Sequence, residues 1–297
     1  YGQGMEQQDQ IPPGYGAQGQ DMSIGSGSGN LTQQFQHPDG VLTMRHPANW
    51  QPQCAPAETA HECVLRCMPN GDPMIVVGAD AVGSLDQMGF QAYFQNTELQ
   101  AMPMSASVPL MNPAWSQGMI GRQQDFQVMG NAGQPGVMRL ILIGRPPVAA
   151  VLCVFCFAGN LQAYTSVINE MASSIQLQSA NVQVMQALVG YWQGASTQQS
   201  MAFWDGSGNQ VAGTGGPVST SHTLAFFADG SFESDDFAGV SATTGMGSAY
   251  GGAGTQGRGR FAVVGNQLFL AGPGSFGTAL IGQGFLQLGS IRYVRTR

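Results

Sequence analysis

Hydrophobic positions between residues 35 and 178 follow two alternating periods. Stretches with the pattern of strands are followed by segments in which apolar residues recur at near-helical spacing. The extended stretches read GVLTMRHPANW, ECVLRCMP, PMIVVGAD, SQGMIGRQQDFQVM and VMRLILIGRPPVAAVLCVFCFAG. Because the connections between them are hairpin-like, the order of strands, helix, strands and helix predicts an α+β domain with an antiparallel sheet against helices.

Two segments of this domain have helical spacing. Residues 84–102 begin at Ser84, an expected N-cap, and the positions expected to face inward are Leu85, Met88, Tyr93 and Leu99. Residues 160–177 begin at Asn160, a second expected N-cap, and their expected inward positions are Leu161, Tyr164, Ile168 and Met171. Residues 179–189 then predict a short helical linker to a second domain.

Residues 190–297 are predicted to be all-β, and their turn signals fix which residues pair. Two-residue turns are expected at Asp229-Gly230, Gly265-Asn266 and Gly289-Ser290. By parity, the expected pairs are Phe227 with Phe232, Val263 with Leu268, Phe261 with Leu270, Leu288 with Ile291, and Leu286 with Tyr293. Arg295 follows Tyr293 by two residues and is therefore expected on the same, core-facing side of its strand.

The first domain resembles a known family at both of its ends. The segment DGVLTMRHPANWQ is similar to the opening strand of PsbP-like α/β/α domains, and INEMASSIQL is similar to their closing helix and final short strand. The resemblance covers residues 35–178. It implies a non-enzymatic adaptor fold, often extracytoplasmic and often docked on a larger assembly. Because known members do not share one ligand, the resemblance assigns no site residue.

The second domain resembles a lipocalin-like barrel. Gly190 and Trp192 form the Gly-x-Trp of a first strand, and Arg295 ends the last one. The resemblance implies that the barrel closes with the guanidinium of Arg295 over the indole of Trp192, a cation–π pair worth about 0.5–2 kcal/mol. The span is short for a full lipocalin, which leaves an internal ligand cavity open to question.

Charged residues are sparse. They make up 9% of the chain, against roughly 25% in ordinary soluble proteins, and all ten basic residues are arginine. A net charge of −7 without clustered cations argues against nucleic acid as a partner and against a polybasic membrane anchor. A surface with few charges costs little to desolvate, which favours self-association or packing into a larger complex. A base bias against lysine codons in an acidic habitat is the alternative explanation.

Residues 1–34 are rich in Gly, Gln and Ser and lack apolar periodicity, so we expect no independent fold. We interpret them as an assembly arm. The side chains available to fill a partner's pockets are Tyr1, Met5, Ile11, Tyr15, Met22 and Ile24. The longest apolar run, VAAVLCVFCFAG at residues 148–159, is shorter than the ~18 residues that a membrane helix needs, so no membrane span is predicted.

The five cysteines suggest one disulfide. Cys54 and Cys63 bracket a short loop and are expected to pair. Cys63 and Cys67 lie too far apart along one strand to bond, and Cys153 and Cys156 point to opposite faces of another. Cys153 and Cys156 are therefore expected to be either inert buried thiols or partners of Cys67 in a disulfide. A disulfide favours an oxidising, extracytoplasmic compartment.

No catalytic, cofactor or metal site is predicted. The histidines His37, His46, His61 and His222 lack a ligand spacing, and no nucleophile motif is present. The favoured hypothesis is a secreted structural protein that packs into a surface assembly. The alternative is an extracytoplasmic carrier of a small apolar ligand inside the C-terminal barrel, and an enzyme is the least favoured class.

Overall fold

The computed structural model describes residues 30–56, 61–95, 97, 104–107, 119–129, 133–198, 218–235, 242–244, 247–249, 257–272, 275–288 and 291–296. The strands of the first part are β1 (Gln33–Gln36), β2 (Leu42–His46), β3 (Trp50–Pro56), β4 (His61–Cys67), β5 (Met74–Ala81), β6 (Met104–Ser107), β7 (Ile120–Met129), β8 (Pro135–Arg145), β9 (Val148–Phe157) and β10 (Gln176–Leu177). The helices are α1 (Gln87–Gln95), α2 (Leu161–Ser173) and α3 (Val182–Leu188). The strands of the second part are β11 (Gly190–Gln198), β12 (Val218–Phe226), β13 (Ser231–Asp235), β14 (Ala242–Thr244), β15 (Gly247–Ala249), β16 (Gly257–Val264), β17 (Gln267–Gly272), β18 (Ser275–Gly282), β19 (Phe285–Leu288) and β20 (Ile291–Arg295).

The part from β1 to β10, here called the sandwich, has a large antiparallel sheet at its centre. This sheet has seven strands in the order β3-β4-β5-β9-β8-β7-β6, and a three-stranded sheet, β1-β2-β10, lies beside it. Side chains of the small sheet and of α2 pack on one face of the large sheet, and Phe90 and Tyr93 of α1 pack on the other. The part from β11 to β20, here called the barrel, closes eight strands on themselves, because β11 pairs with both β12 and β20. The predicted fold class, α+β with a C-terminal barrel, is confirmed.

Helix α1 begins later than predicted. Its N-cap is Asp86, whose carboxylate accepts a hydrogen bond of 2.7 Å from the Gly89 N–H, whereas Ser84 was expected in that role. Leu85 and Tyr93 are buried as predicted, whereas Phe90 is also buried and Met88 is 81% exposed. The inward position expected for Met88 was therefore wrong. Leu99 lies outside the described residues.

Helix α2 begins at the predicted place and ends earlier. Asn160 precedes it, but its side chain donates to Asp72 (2.6 Å) and makes no capping bond to the helix. The helix ends at Ser173 because Ser174 turns the chain. Its hydroxyl accepts from the Arg45 N–H (2.8 Å), which leads the next residues into β10 beside β2. Ile168 and Met171 are buried as predicted.

Two of the three predicted hairpin registers are confirmed. Val263 pairs with Leu268, and Leu288 pairs with Ile291. The pairing of Phe227 with Phe232 was wrong, because Phe226 takes that position. The Phe227 N–H donates to the Ser231 carbonyl and Gly230 has a φ of 80°, which makes a longer loop than the two-residue turn that parity assumed.

The barrel interior is filled by large apolar side chains. In the described part of the chain, the buried residues that share this core include Trp192, Phe226, Phe232, Phe261 and Tyr293. Each is at most 5% exposed. These rings occupy the space where the sequence suggested a ligand cavity.

Candidate functional site: the sandwich–barrel junction

The hairpin of β16 and β17 packs against the sandwich with its outer face. Ala262, Val264, Phe269 and Ala271 point away from the barrel interior and belong to the same buried cluster as the sandwich core. Phe269 is wholly buried. The hairpin turn also needs a glycine, because a Cβ atom on Gly265, whose φ is 60°, would lie 2.1 Å from the Asp39 carbonyl oxygen. The two backbones therefore meet directly at this point.

Asp39 joins three segments of the chain beside that turn. One carboxylate oxygen accepts from the His61 N–H (2.7 Å) and from the side-chain amide of Gln267 (2.9 Å). The other oxygen lies 2.9 Å from Nδ1 of His61. Asp39 and Gln267 are both buried, so this carboxylate links β4 of the sandwich to β17 of the barrel without competition from water.

His37 completes the cluster as a neutral ring. Its Nδ1 accepts from the Asp39 N–H (3.3 Å), and the side chain is 1% exposed. Burial lowers the pKa of His37, against the opposing effect of the Asp39 charge. Nε2 of His37 has no hydrogen-bond partner among the described residues.

Asp80 forms a second link from β5 to the barrel. Its carboxylate accepts from the Ala81 N–H (2.7 Å), the Tyr93 hydroxyl (3.1 Å) and the Thr278 hydroxyl (3.2 Å). All three donors are neutral. Burial raises the pKa of Asp80 to about 6, and the three hydrogen bonds only partly offset that effect.

A cleft opens beside these links, between the sandwich and the barrel. Its volume is about 450 Å³. The lining residues come from the segment before β7, the turn between β8 and β9 with its flanking residues, the end of β10 and the segment after it, and the outer face of β16: Met119, Arg145, Pro146, Pro147, Val148, Leu177, Gln178, Ser179, Ala180, Ala262 and Val264. Except for Arg145, this lining carries no charge.

The predicted closure residues lie together at one end of the barrel. Trp192 of β11 is opposite Arg295 of β20. Arg295 donates to the carbonyls of Ala187 (3.2 Å) and Val189, and the Trp192 indole donates to the Leu188 carbonyl (2.8 Å). The guanidinium also lies close to Gly190, where a Cβ would be 3.2 Å from Nη2. Arg295 therefore makes hydrogen bonds to the end of α3. The sequence had predicted a cation–π pair between Arg295 and Trp192.

The cysteines divide as one pair and three thiols. Cys54 and Cys63 form a disulfide between β3 and β4. Cys67, Cys153 and Cys156 are free and buried, so bridges to Cys67 are not formed. Burial raises the pKa of Cys156 to about 11 and that of Cys153 further still, which keeps both protonated and unreactive at neutral pH.

Other sequence predictions fall partly outside the described residues. The arm residues Tyr1, Ile11, Tyr15 and Ile24 lie there, while Gln33 and Gln34, at the end of the predicted arm, belong to β1. Within the described ranges, no helix combines the length and hydropathy needed to cross a bilayer. The same residues contain no group of three or more His, Cys, Asp or Glu side chains arranged to hold a metal ion.

The junction residues were not identified from the sequence, although a signal was present. The segment FAVVGNQLFLAG, residues 261–272, is apolar without alternation apart from its turn. A continuous apolar strand indicates burial on both faces. The alternation of residues along each strand identifies only the face that points into the barrel. No local pattern marks Asp39 or Asp80, whose barrel partners are 228 and 198 residues away.

No protein-family model matches the chain, and no curated protein sequence matches it. Solved structures match about half of it. The chain is similar to PsbP (CyanoP) from Synechocystis sp. PCC 6803, with 11% identity and a TM-score of 0.38, over 49% of this chain and 91% of that one. It is also similar to LpqN, involved in cell envelope biogenesis of Mycobacterium tuberculosis, with 14% identity and a TM-score of 0.37, over 50% and 91% of the two chains.

A third match is a protein from Bacteroides thetaiotaomicron VPI-5482, with 11% identity and a TM-score of 0.35. The alignment covers 50% of this chain and 49% of that one, so this chain spans about half the length of that protein. The observed topology has the predicted order, an α+β part followed by a closed barrel.

Proposed function

We propose that the protein is a non-catalytic, extracytoplasmic structural protein that assembles with copies of itself or with a larger complex. The observation that carries this proposal is the sandwich–barrel junction, where Asp39 and Asp80 are buried and hydrogen bonded across the two parts. Domains move relative to each other by default unless their interface is extensive and apolar. A structural protein needs its outer surfaces in a fixed orientation, and this junction provides it.

The Cys54–Cys63 disulfide supports the extracytoplasmic location. Disulfides persist in oxidising compartments and are reduced in the cytosol. The bond ties β3, which is exposed after Trp50, to Cys63 of β4, which lies in the core. We expect three alkylatable thiols, those of Cys67, Cys153 and Cys156, in the denatured and unreduced protein, to be seen by intact mass.

One edge of the large sheet is protected against strand addition. In β3, Cys54 pairs with Cys63 at a Cα–Cα distance of 4.2 Å, which identifies a pair without ladder hydrogen bonds. Pro52 and Pro56 share the parity of Cys54, so their nitrogens face outward and cannot donate. Prolines at such positions keep an edge strand from pairing with another chain.

The outer edge of β1 has no such protection. The His37 N–H donates to the Leu42 carbonyl, so Gln34 and Gln36 alternate with the residues that bond to β2 and present their main-chain groups outward. No strand covers this edge in the described part of the chain. The edge directly follows residues 1–29, and an added strand from another copy would pair with it by main-chain hydrogen bonds.

The test compares three versions of the protein by sedimentation velocity: the full chain, residues 30–297, and Gln34→Pro. Proline at position 34 removes an outward N–H and leaves the β1–β2 ladder intact, and melting temperature controls for folding. We expect the full chain to form particles larger than one chain and both variants to sediment as monomers with unchanged melting. A full chain that stays monomeric at every concentration contradicts the proposal.

The arm residues Tyr1, Ile11, Tyr15 and Ile24 are proposed as the side chains that fill pockets on the neighbouring copy. Their combined replacement by alanine should weaken assembly as strongly as removing residues 1–29, since apolar anchors contribute most of the energy in such contacts. Replacing Gln3, Gln7, Gln10 and Gln18 by alanine instead is the matched control, and it should leave the particle size unchanged.

A carrier function is a second candidate, but at a different place from the one predicted. The barrel interior is filled by aromatic rings over its described length. The junction cleft, in contrast, offers about 450 Å³ between the sandwich and the barrel. Small-molecule sites commonly lie at such domain interfaces.

A further inference from the structure

The junction cleft has three fixed walls. The Pro147 carbonyl accepts from the Val82 N–H (2.9 Å), the Gln178 N–H donates to the Val41 carbonyl (3.0 Å), and the Asn181 N–H donates to the Val263 carbonyl (2.7 Å). These bonds hold the β8–β9 turn, the segment after β10 and strand β16. The cleft is thus formed before any ligand arrives, which lowers the cost of binding.

The floor of the cleft is apolar. Val148, Ala262 and Val264 are between 3% and 6% exposed, and they belong to the core shared by the sandwich and the barrel. Pro146 and Pro147 add rigid apolar surface from the turn. A saturated hydrocarbon chain bound here would be transferred from water to an apolar surface, which is favourable.

Arg145 gives the cleft its one charge. It ends β8 and is exposed, so the guanidinium can reach a group at the mouth while the floor stays apolar. A guanidinium has five N–H donors in a planar fork that matches a carboxylate, so it can bind one in addition to the contacts it already makes. The hydroxyl of Ser179 and the amide of Gln178 lie in the same lining and can donate further hydrogen bonds.

We propose that the junction cleft binds an aliphatic carboxylate, with the hydrocarbon chain against Val148, Ala262 and Val264 and the carboxylate on Arg145. The observations behind it are the preformed volume, the apolar floor and the complementary charge. The proposal goes beyond the assembly function and does not depend on it, since the cleft is formed within one chain.

The experiment is isothermal titration calorimetry of the full chain with sodium decanoate, kept below its micelle concentration. Decyl alcohol tests the role of the carboxylate, and acetate tests the role of the hydrocarbon chain. We expect saturable binding of decanoate at one site per chain, weaker binding of decyl alcohol, and none of acetate. Absence of saturable decanoate binding to the full chain overturns the proposal.

Two variants locate the site. Arg145→Gln should weaken decanoate binding at least tenfold and leave decyl alcohol binding unchanged, because a charge-assisted pair is lost. Ala180→Phe places a ring into the mouth from an exposed position and should abolish binding of both, while the melting temperature stays constant. Arg66→Gln, an exposed arginine on β4, is the matched control and should bind as the original chain does. Unchanged decanoate affinity in both cleft variants also overturns the proposal, whatever the particle size in sedimentation.

Discussion

The end of β16, from Phe261 to Val264, and the whole of β17 are buried on both faces, whereas β11 and β20, in the same barrel, are buried only on the inside. Every residue of β17 is buried, including the outward Phe269. In β11 and β20 the outward Tyr191 and Val294 are 66% and 51% exposed. The inner faces of all four strands contribute to one barrel core, so the strands differ only in their outer faces. The difference shows where the sandwich covers the barrel and where the barrel is free to meet other molecules.

The largest loss of stability should come from shortening a side chain on the outer face that the sandwich covers. Phe269→Ala removes a wholly buried ring between the two parts and should lower the free energy of unfolding by about 3–5 kcal/mol. Tyr191→Ala, on the exposed outer face, should change it by less than about 0.5 kcal/mol. Urea denaturation measures both. Similar losses for the two variants would remove the distinction between the outer faces.

A smaller effect is expected from the charge at Asp80. Its folded-state pKa of about 6 lies above the unfolded value of 3.8, so the folded protein binds the proton more tightly. Stability contributed by this group therefore rises as the pH falls from above 6 to below 4, by about 3 kcal/mol at most. Above pH 6 the buried charge is a cost to folding.

Asp80→Asn should remove this pH dependence. The amide carries no charge, and the hydroxyls of Tyr93 and Thr278 can accept from it as well as donate to it. The measurement is the melting temperature from pH 4 to 8, with the exposed Glu62→Gln as control. We expect the variant to be relatively more stable than the original chain at pH 7.5 and to lose that advantage at pH 4. Parallel pH profiles would show that the Asp80 charge does not matter at the junction.

The smallest expected effect is a difference in stability between alanine substitutions in two hairpin turns of the barrel. Gly265 and Gly284 both have positive φ, at 60° and 77°, so alanine at either should cost about 1 kcal/mol in backbone strain. At Gly265 the new Cβ would also meet the Asp39 carbonyl, while Gly284 has open space around it. Gly265→Ala should therefore lose about 1–3 kcal/mol more than Gly284→Ala. Equal losses in thermal denaturation would mean that the sandwich does not constrain the β16–β17 turn.

Local patterns in the sequence predicted most elements, since burial on one face leaves a two-residue or near-helical period. The predictions were wrong where a residue outside the hydrophobic pattern determines where a helix begins or how long a turn is. Asp86 caps α1 in place of Ser84. The positive φ of Gly230 lengthens a loop and moves the pairing from Phe227 to Phe226.

The junction itself could be predicted only in part. The apolar residues on both sides of the turn in 261–272 do not alternate with polar ones, which indicates a hairpin buried on both faces. The polar links could not be found this way, because the fold brings Asp39 to Gln267 and Asp80 to Thr278 across 228 and 198 residues of sequence. A single sequence contains no period that joins such positions. The cleft beside them is likewise formed by segments that are remote in sequence.

The most direct test of a fixed sandwich–barrel junction is a double-mutant cycle between Asp39 and Gln267. The variants are Asp39→Ala, Gln267→Ala and the double substitution, and the quantity is the free energy of unfolding in urea. Because the Gln267 amide donates to Asp39 at 2.9 Å from the other part of the molecule, we expect a coupling energy of about 0.5–3 kcal/mol. A coupling of zero would mean that the two residues do not meet in solution, and it would contradict a junction that holds the sandwich and the barrel as one unit.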